Sequence, residues 1–140
     1  MAVKQRESTL SEAQLRFLDE NPFVGVATTL RPDGSPHSTV VWVDVEDGVV
    51  SFNTEEGRAK VRHIDDDSRV SLLVLDPSDP YRWVAVSGAA EVTTGGAREQ
   101  IDRLAKKYLG KDEYPWANPD KRRLKVLIRP AYVDSSGFDE

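Results

Sequence analysis

Three β-rich segments separated by short turns constrain the fold of this chain more than any other feature of its sequence. They hold β-branched and apolar residues without helical periodicity, and they cover residues 23–30, 37–45 and 49–53. The two connections, residues 31–36 and 46–48, are rich in acidic and turn-forming residues. Because both connections are short, the segments are predicted to form a three-stranded antiparallel meander.

Three further segments predict strands later in the chain. They cover residues 69–75, 82–93 and 123–129, and Pro130 is expected to end the last of them. Gly88 lies inside the longest segment. A glycine inside a strand often marks a bend or bulge, which a sheet needs in order to curl into a barrel.

Three helices are predicted around these strands. The first covers residues 11–20, with Ser11 as its cap, and the second is a short helix over residues 54–64. The third covers residues 97–109, where apolar residues recur at i, i+3, i+4 and i+7 before Gly110 stops the helix.

These elements predict a mainly β fold of the α+β kind, a six-stranded antiparallel barrel with short peripheral helices, formed as one domain by residues 1–140. A chain of 140 residues can bury a core without a metal or disulfide staple, and this one has no cysteine. Its net charge of −5 argues against broad nucleic-acid binding. The apolar runs are only of strand length and the N-terminus lacks the apolar core of a signal peptide, so no membrane partner is expected and the cytoplasm is the expected location.

A candidate anion site lies in residues 52–60, FNTEEGRAK, where a β segment runs into a helix start that carries Arg58 and Lys60. Free backbone N–H groups, the positive end of the helix dipole and these two cations would together hold a phosphate group. Cations at this end oppose the dipole, which favours a functional role. The alternative is a solvated face paired with neighbouring carboxylates, and the spacing alone leaves both interpretations open.

Side chains along residues 37–45 should alternate between two faces. The large apolar Val40 and Trp42 are predicted to point into the core. That would leave His37, Thr39 and Val41 to line an outer groove beside the anion site, unless both faces are buried in a dimer.

No motif in the sequence marks a catalytic acid, base or nucleophile, which favours chemistry that resides in a bound cofactor. His37 and His63 are the only histidines and lack nearby partners of ligand type, so metal binding is not expected. The aromatic residues could stack on a planar ring, although for Tyr108 a role in the core or in a subunit interface is preferred.

The chain resembles the split β-barrel flavin and deazaflavin proteins related to pyridoxamine 5′-phosphate oxidase, over residues 23–133. Four blocks carry this resemblance: VGVATTLRPDGSPHSTVVWV at 24–43, FNTEEGRAKVRHI at 52–64, DPSDPYRWVAVSGAAEVT at 76–93 and IDRLAKKYLGKDEYP at 101–115. Within this group, residues 57–60 and the DPYR segment look most like the actinobacterial branch that uses the deazaflavin coenzyme F420, which includes biliverdin reductase-like members.

The resemblance implies an FMN-binding type of split barrel that forms a homodimer with two cofactor sites at the subunit interface. It implies that Arg58 and Lys60 hold the cofactor phosphate and that the ring lies along residues 39–42. The oxidase members carry their two cations side by side, whereas Ala59 separates them here, so coenzyme F420 is expected and FMN is the alternative. The expected cofactor-binding residues are His37, Thr39, Val41, Asn53, Thr54, Arg58, Ala59 and Lys60.

The expected function is therefore an F420H2-dependent reductase that transfers a hydride to a conjugated, planar organic acceptor. The residues of the oxidase that bind pyridoxal phosphate are not recognisable, which disfavours vitamin B6 oxidation. Two alternatives remain open: an FMN-dependent oxidoreductase acting on a small aromatic substrate, and a non-catalytic protein that carries a flavin-type cofactor.

Overall fold

The computed structural model describes residues 3–7 and 9–138. Strands and helices alternate irregularly along the chain. Their bounds are β1 Val3–Glu7, α1 Glu12–Glu20, β2 Gly25–Leu30, β3 Pro36–Val41, β4 Val43–Glu46, β5 Val49–Glu55, α2 Ala59–Asp66, β6 Arg69–Asp76, β7 Asp79–Thr93, α3 Ala97–Leu109 and β8 Arg123–Ser136.

The eight strands of the described chain form one antiparallel sheet in the order β3-β2-β6-β7-β8-β5-β4, and β1 pairs with β8. The end strands of this order, β3 and β4, are separated in sequence by Trp42 alone. Val41 and Val43 are two residue steps apart and can be separated by at most about 7 Å, so the sheet must curl until its two ends meet. The predicted mainly β, antiparallel split-barrel fold is confirmed, with two more strands than predicted.

Trp42 also shows where the prediction of one continuous strand over residues 37–45 is wrong. The part before Trp42 pairs with β2, while the part after it pairs with β5. A strand that changes partners must bend at the junction, which creates the split between the two sheet ends.

The core fills the inside of the curled sheet, and α1 covers one side of it. Phe52 and Leu72 are fully buried inside the sheet. From α1, Phe17 packs edge-on against Phe138 with ring centroids 5.2 Å apart. Burying a large apolar side chain contributes about 1.5–3 kcal/mol, so these contacts hold α1 against the sheet.

The long strands β7 and β8 bend at Gly88, where their pairing register shifts as predicted. A Cβ atom at Gly88 would lie 1.9 Å from the backbone oxygen of Arg129, so only glycine fits there. The prediction that Pro130 ends the last strand is wrong, because Pro130 lies opposite Gly88 at this irregularity. A proline is tolerated at a bulge, where its missing N–H breaks no regular ladder bond.

Two of the three predicted helices begin and end where expected. In α1, the Ser11 hydroxyl accepts a bond from the Gln14 backbone N–H, and α3 is stopped by Gly110 at a φ of 73°. The second begins later than predicted, at Ala59, because β5 continues to Glu55. None of the helices within residues 3–7 and 9–138 is long and apolar enough to cross a membrane.

Candidate cofactor-binding groove

An open groove of about 360 Å³ lies where the sheet ends meet, between β3, the end of β5, the start of α2 and the connection that precedes β8. Polar and cationic side chains line one part of it and aromatic side chains another. The lining residues are Thr39, Val40, Val41, Trp42, Asn53, Thr54, Glu55, Arg58, Lys60, Ile101, Tyr114, Trp116 and Arg123.

The groove carries excess positive charge although the whole chain has a net charge of −5. Among the described residues that line it, Arg58, Lys60 and Arg123 are cationic and only Glu55 is acidic. Burial lowers the pKa of Lys60, and the nearby charges of Arg58 and Arg123 lower it further. Cations that are partly desolvated and repel one another favour the binding of an anion, so this end of the groove fits a phosphate or carboxylate group.

Aromatic side chains line the neighbouring part of the groove, where the Arg123 guanidinium lies over the ring of Tyr114. Trp42 stacks on Tyr108 with ring centroids 5.2 Å apart and an interplanar angle of 7°. Tyr114 contacts Trp42 edge-on at 5.9 Å, and Trp116 contacts Tyr114 at 5.6 Å. Trp116 is 64% exposed. This aromatic wall offers a flat, apolar surface to a planar ring.

One buried polar atom in the groove lacks a partner. The hydroxyl of Thr39 makes no hydrogen bond to any residue in 3–7 or 9–138, although it is buried. A buried hydroxyl without a partner is costly. A polar group on a bound ligand would satisfy it. Together, the cations, the aromatic side chains and this hydroxyl fit a ligand that carries an anionic group and a planar ring with a polar edge.

The structure brings most of the predicted cofactor-binding residues together. Six of them line the groove: Thr39, Val41, Asn53, Thr54, Arg58 and Lys60. His37 and Ala59 lie outside the lining. The His37 ring instead meets His63 edge-on at 5.0 Å, and His63 Nδ1 lies 2.8 Å from the hydroxyl oxygen of Thr29.

Burial lowers the pKa of His37, with smaller contributions from Arg31, His63 and Lys60. This is consistent with a position next to the cationic end of the groove. Within residues 3–7 and 9–138, no three His, Asp or Glu side chains are grouped as a metal site would require.

The predicted direction of the side chains on β3 is wrong. Val40 is 68% exposed, whereas Val41 is 6% exposed. The sheet curls so that Val41 faces the core, and Val40 lies on the outer face. Trp42 is half-buried and turns towards Tyr108 because the strand breaks there.

Sequence reasoning missed Arg123, Tyr114 and Trp116 as groove residues. Arg123 reaches the groove because β8 pairs with β5 and places it opposite Glu55. A pairing between strands so distant in sequence leaves no local signal. Tyr114 and Trp116 are close in sequence, but the side of the barrel on which they lie depends on how the sheet closes.

Comparison with known proteins places this geometry in context. Residues 10–134 match the family of pyridoxamine 5′-phosphate oxidase. No curated protein is significantly similar to the chain.

Solved structures share the fold. An F420 reductase is 28% identical, with a TM-score of 0.71 over 84% of this chain and 94% of that one. A conserved hypothetical protein from Mycobacterium tuberculosis is 25% identical, with a TM-score of 0.71 over 95% and 89% of the two chains. General stress protein 26 from Bacillus anthracis is 21% identical, with a TM-score of 0.63 over 85% and 88%, and supports the fold alone.

Proposed function

Since the chain belongs to the pyridoxamine 5′-phosphate oxidase family, a family of oxidoreductases, we propose that it is a reductase that uses reduced coenzyme F420 to reduce a planar, conjugated organic acceptor. The observation that carries this proposal is the groove itself, in which a cationic end and an aromatic wall lie side by side. The 28% identity to an F420 reductase favours coenzyme F420 over FMN. When bound, this coenzyme would supply a hydride.

The residues of the groove would bind and orient the coenzyme. Arg58 and Lys60 would hold its phosphate by charge-assisted hydrogen bonds, which are stronger than neutral ones. The Thr39 hydroxyl would contact a polar edge of the ring system, with Asn53 and Thr54 beside it. No side chain of the groove needs to act as a nucleophile, because position and electrostatics are what the protein contributes.

Three other residues that were predicted to bind the cofactor have smaller roles in this proposal. Val41 would border the ring mainly through its backbone, because its side chain faces the core. Ala59 would contribute its backbone N–H at the first turn of α2. His37 would border the cationic end of the groove without lining it, and its lowered pKa keeps the ring neutral at pH 7.

The proposal includes a homodimer, which an apolar row on the outer face of the sheet supports. Val40 pairs with Val26, and Val26 pairs with Leu73, so three apolar side chains lie side by side across β3, β2 and β6. Their exposed fractions are 68%, 37% and 37%. Contiguous exposed apolar surface of this kind is typical of interfaces. Because Val40 also lines the groove, a partner on this face would border the cofactor site.

A side-by-side titration tests the cofactor. Coenzyme F420 and FMN are added separately to the purified protein while the fluorescence of each is followed. We expect tighter binding of coenzyme F420, and we expect Arg58→Gln or Lys60→Gln to weaken it by roughly tenfold to a hundredfold. Lys106→Gln removes the same charge from an exposed lysine on α3 and should leave the affinity unchanged. Full affinity in both groove variants would overturn the anchor assignment, and tighter binding of FMN would overturn the cofactor assignment.

A second measurement separates an enzyme from a cofactor carrier. Reduced coenzyme F420 bound to the protein is mixed with planar quinones in a stopped-flow instrument, and its oxidation is compared with that of the free coenzyme. A reductase should accelerate the oxidation. A carrier would bind the coenzyme without any acceleration.

A further inference from the structure

We propose that Gln100 is a positioning residue for the groove: acting through Asn53, it orients the Arg123 guanidinium towards a negatively charged group of the ligand. This inference rests on the proposed function, because it concerns the same groove. Neither Gln100 nor its role follows from any motif in the sequence. The role follows from a buried chain of hydrogen bonds, in which some groups can donate and others can only accept.

Gln100 lies on α3 and is fully buried, outside the groove lining. Its Nε2 donates to Asp44 Oδ2 at 3.1 Å and to Ser51 Oγ at 2.9 Å. The Asp44 carboxylate also accepts a bond from Arg103 Nη2 at 2.9 Å. An ionised carboxylate can only accept, so Asp44 determines that the NH₂ side of the Gln100 amide faces it.

Gln100 and the Ala97 carbonyl together determine the orientation of Asn53. Asn53 Nδ2 donates to Gln100 Oε1 at 3.0 Å and to the backbone oxygen of Ala97 at 2.8 Å. Both amide hydrogens of Asn53 are therefore used towards α3. A flipped amide would place Asn53 Oδ1 against these two oxygens, so Oδ1 must face the other way.

The oxygen that is left faces Arg123. Arg123 Nε donates to Asn53 Oδ1 at 2.8 Å, and the guanidinium lies over the ring of Tyr114, 5.1 Å from its centroid. Arg123 Nη1 lies 3.7 Å from Glu55 Oε2, farther than a hydrogen bond reaches. The Arg123 side chain is only 12% exposed, and the short hydrogen bond at Nε acts together with the contacts to Tyr114 and Glu55 to set the plane of the group.

These linked hydrogen bonds serve to orient Arg123. A guanidinium binds a carboxylate or phosphate best when its planar fork is aimed before the ligand arrives. Arg123 adds a third cation to Arg58 and Lys60, and the buried amides of Asn53 and Gln100 hold it in place. A ligand group that meets Arg123 therefore encounters a rigid donor.

The test combines ligand affinity with a measurement on the free protein. Gln100→Met keeps the length of the side chain but removes its hydrogen bonds. We expect it to weaken binding of coenzyme F420 or FMN, whichever the wild type binds, by roughly fivefold to tenfold. In an Arg123→Gln background the same change should have an effect of less than about twofold, because the residue on which Gln100 acts is gone. An undiminished effect in that background would overturn the inference.

Ser51→Ala is the matched control. It removes one acceptor of Gln100 but leaves the path through Asn53 to Arg123, so it should lower stability without changing affinity. An equal loss of affinity in Ser51→Ala and Gln100→Met would show a merely structural effect and overturn the inference. If Gln100→Met does not fold, Arg123→Lys replaces it, since lysine keeps the charge without the oriented fork. Unchanged affinity of Arg123→Lys would then overturn the inference in the same way.

The NMR signal of Arg123 Nε–H provides a readout that needs no cofactor. We expect slow hydrogen exchange at this group in the wild type and roughly tenfold faster exchange in Gln100→Met. We also expect added inorganic phosphate to shift the signal more in the wild type than in the variant. Equal exchange and equal shifts would overturn the inference. Failure of both cofactors to bind would instead overturn the proposed function, and the exchange difference would still decide the role of Gln100.

Discussion

Replacing Tyr108 with phenylalanine removes a single oxygen atom that joins α3 to two distant parts of the backbone. The Tyr108 hydroxyl donates to the backbone oxygen of Phe23 at 2.8 Å and accepts from the backbone N–H of Val43 at 3.0 Å. Its ring stacks on Trp42, a contact that phenylalanine retains. Each lost hydrogen bond costs about 1–1.5 kcal/mol, so we expect Tyr108→Phe to lower the free energy of unfolding at pH 7 by about 2–3 kcal/mol.

The cost of this substitution should depend on pH. Burial raises the pKa of Tyr108 to about 12, with the Asp44 charge adding to the rise and the Val43 N–H opposing it. In the unfolded chain the pKa is about 10. A pKa that is raised in the folded state contributes stability that is complete below about pH 10 and is lost as the pH approaches 12. A shift of this size corresponds to about 2–3 kcal/mol. The difference in the free energy of unfolding between wild type and Tyr108→Phe should therefore nearly vanish at about pH 12.

Urea unfolding followed by tryptophan fluorescence measures this difference at pH values from about 7 to 11. Other groups titrate in this range, but they are common to both proteins and cancel in the comparison. Tyr81→Phe is the control, because Tyr81 is 65% exposed, and its effect should stay within about 0.5 kcal/mol. Equal stability of wild type and Tyr108→Phe at pH 7, or a difference that stays constant up to pH 11, would refute the reasoning.

Three more predictions concern the bend, the anion site and the aromatic wall. In urea unfolding, Gly88→Ala should lower the free energy of unfolding by about 3 kcal/mol or prevent folding, because the added Cβ meets backbone atoms. Gly95→Ala is the control, because a Cβ there has its nearest contact at 3.5 Å, and it should change the free energy of unfolding by less than about 0.5 kcal/mol. Arg58→Gln should raise the pKa of Lys60 towards its ordinary value without restoring it, since burial is the larger cause, and NMR titration of the lysine side chain measures this. Trp116→Ala should weaken cofactor binding by roughly fivefold to tenfold, whereas Trp116→Phe should largely preserve it, as fluorescence titration would show.

Local patterns in the sequence were sufficient to predict the first and the last of the three helices. Ser11 begins α1, and an apolar stripe with Gly110 after it determines α3, because the groups involved are close in sequence. The bend at Gly88 was also predictable, since a glycine inside a long β segment weakens regular pairing and commonly marks a bulge. The positions of these features can be predicted without knowing which strands pair.

The site was predictable only where one segment of chain supplies it. Arg58 and Lys60 flank the start of α2, so their proximity follows from sequence alone. Arg123 joins them through the pairing of β5 with β8, which a single sequence does not reveal. The direction of Val40 was mispredicted for a related reason: which face of an edge strand is buried depends on how the sheet curls.

The central claim is that the cationic end of the groove holds the negatively charged group of a cofactor. A crystal structure of the protein with coenzyme F420 bound tests it most directly. We predict that the coenzyme phosphate lies within hydrogen-bond distance of both Arg58 and Lys60, with the ring system against the aromatic wall. A coenzyme bound elsewhere, with both side chains directed into solvent, would contradict the account.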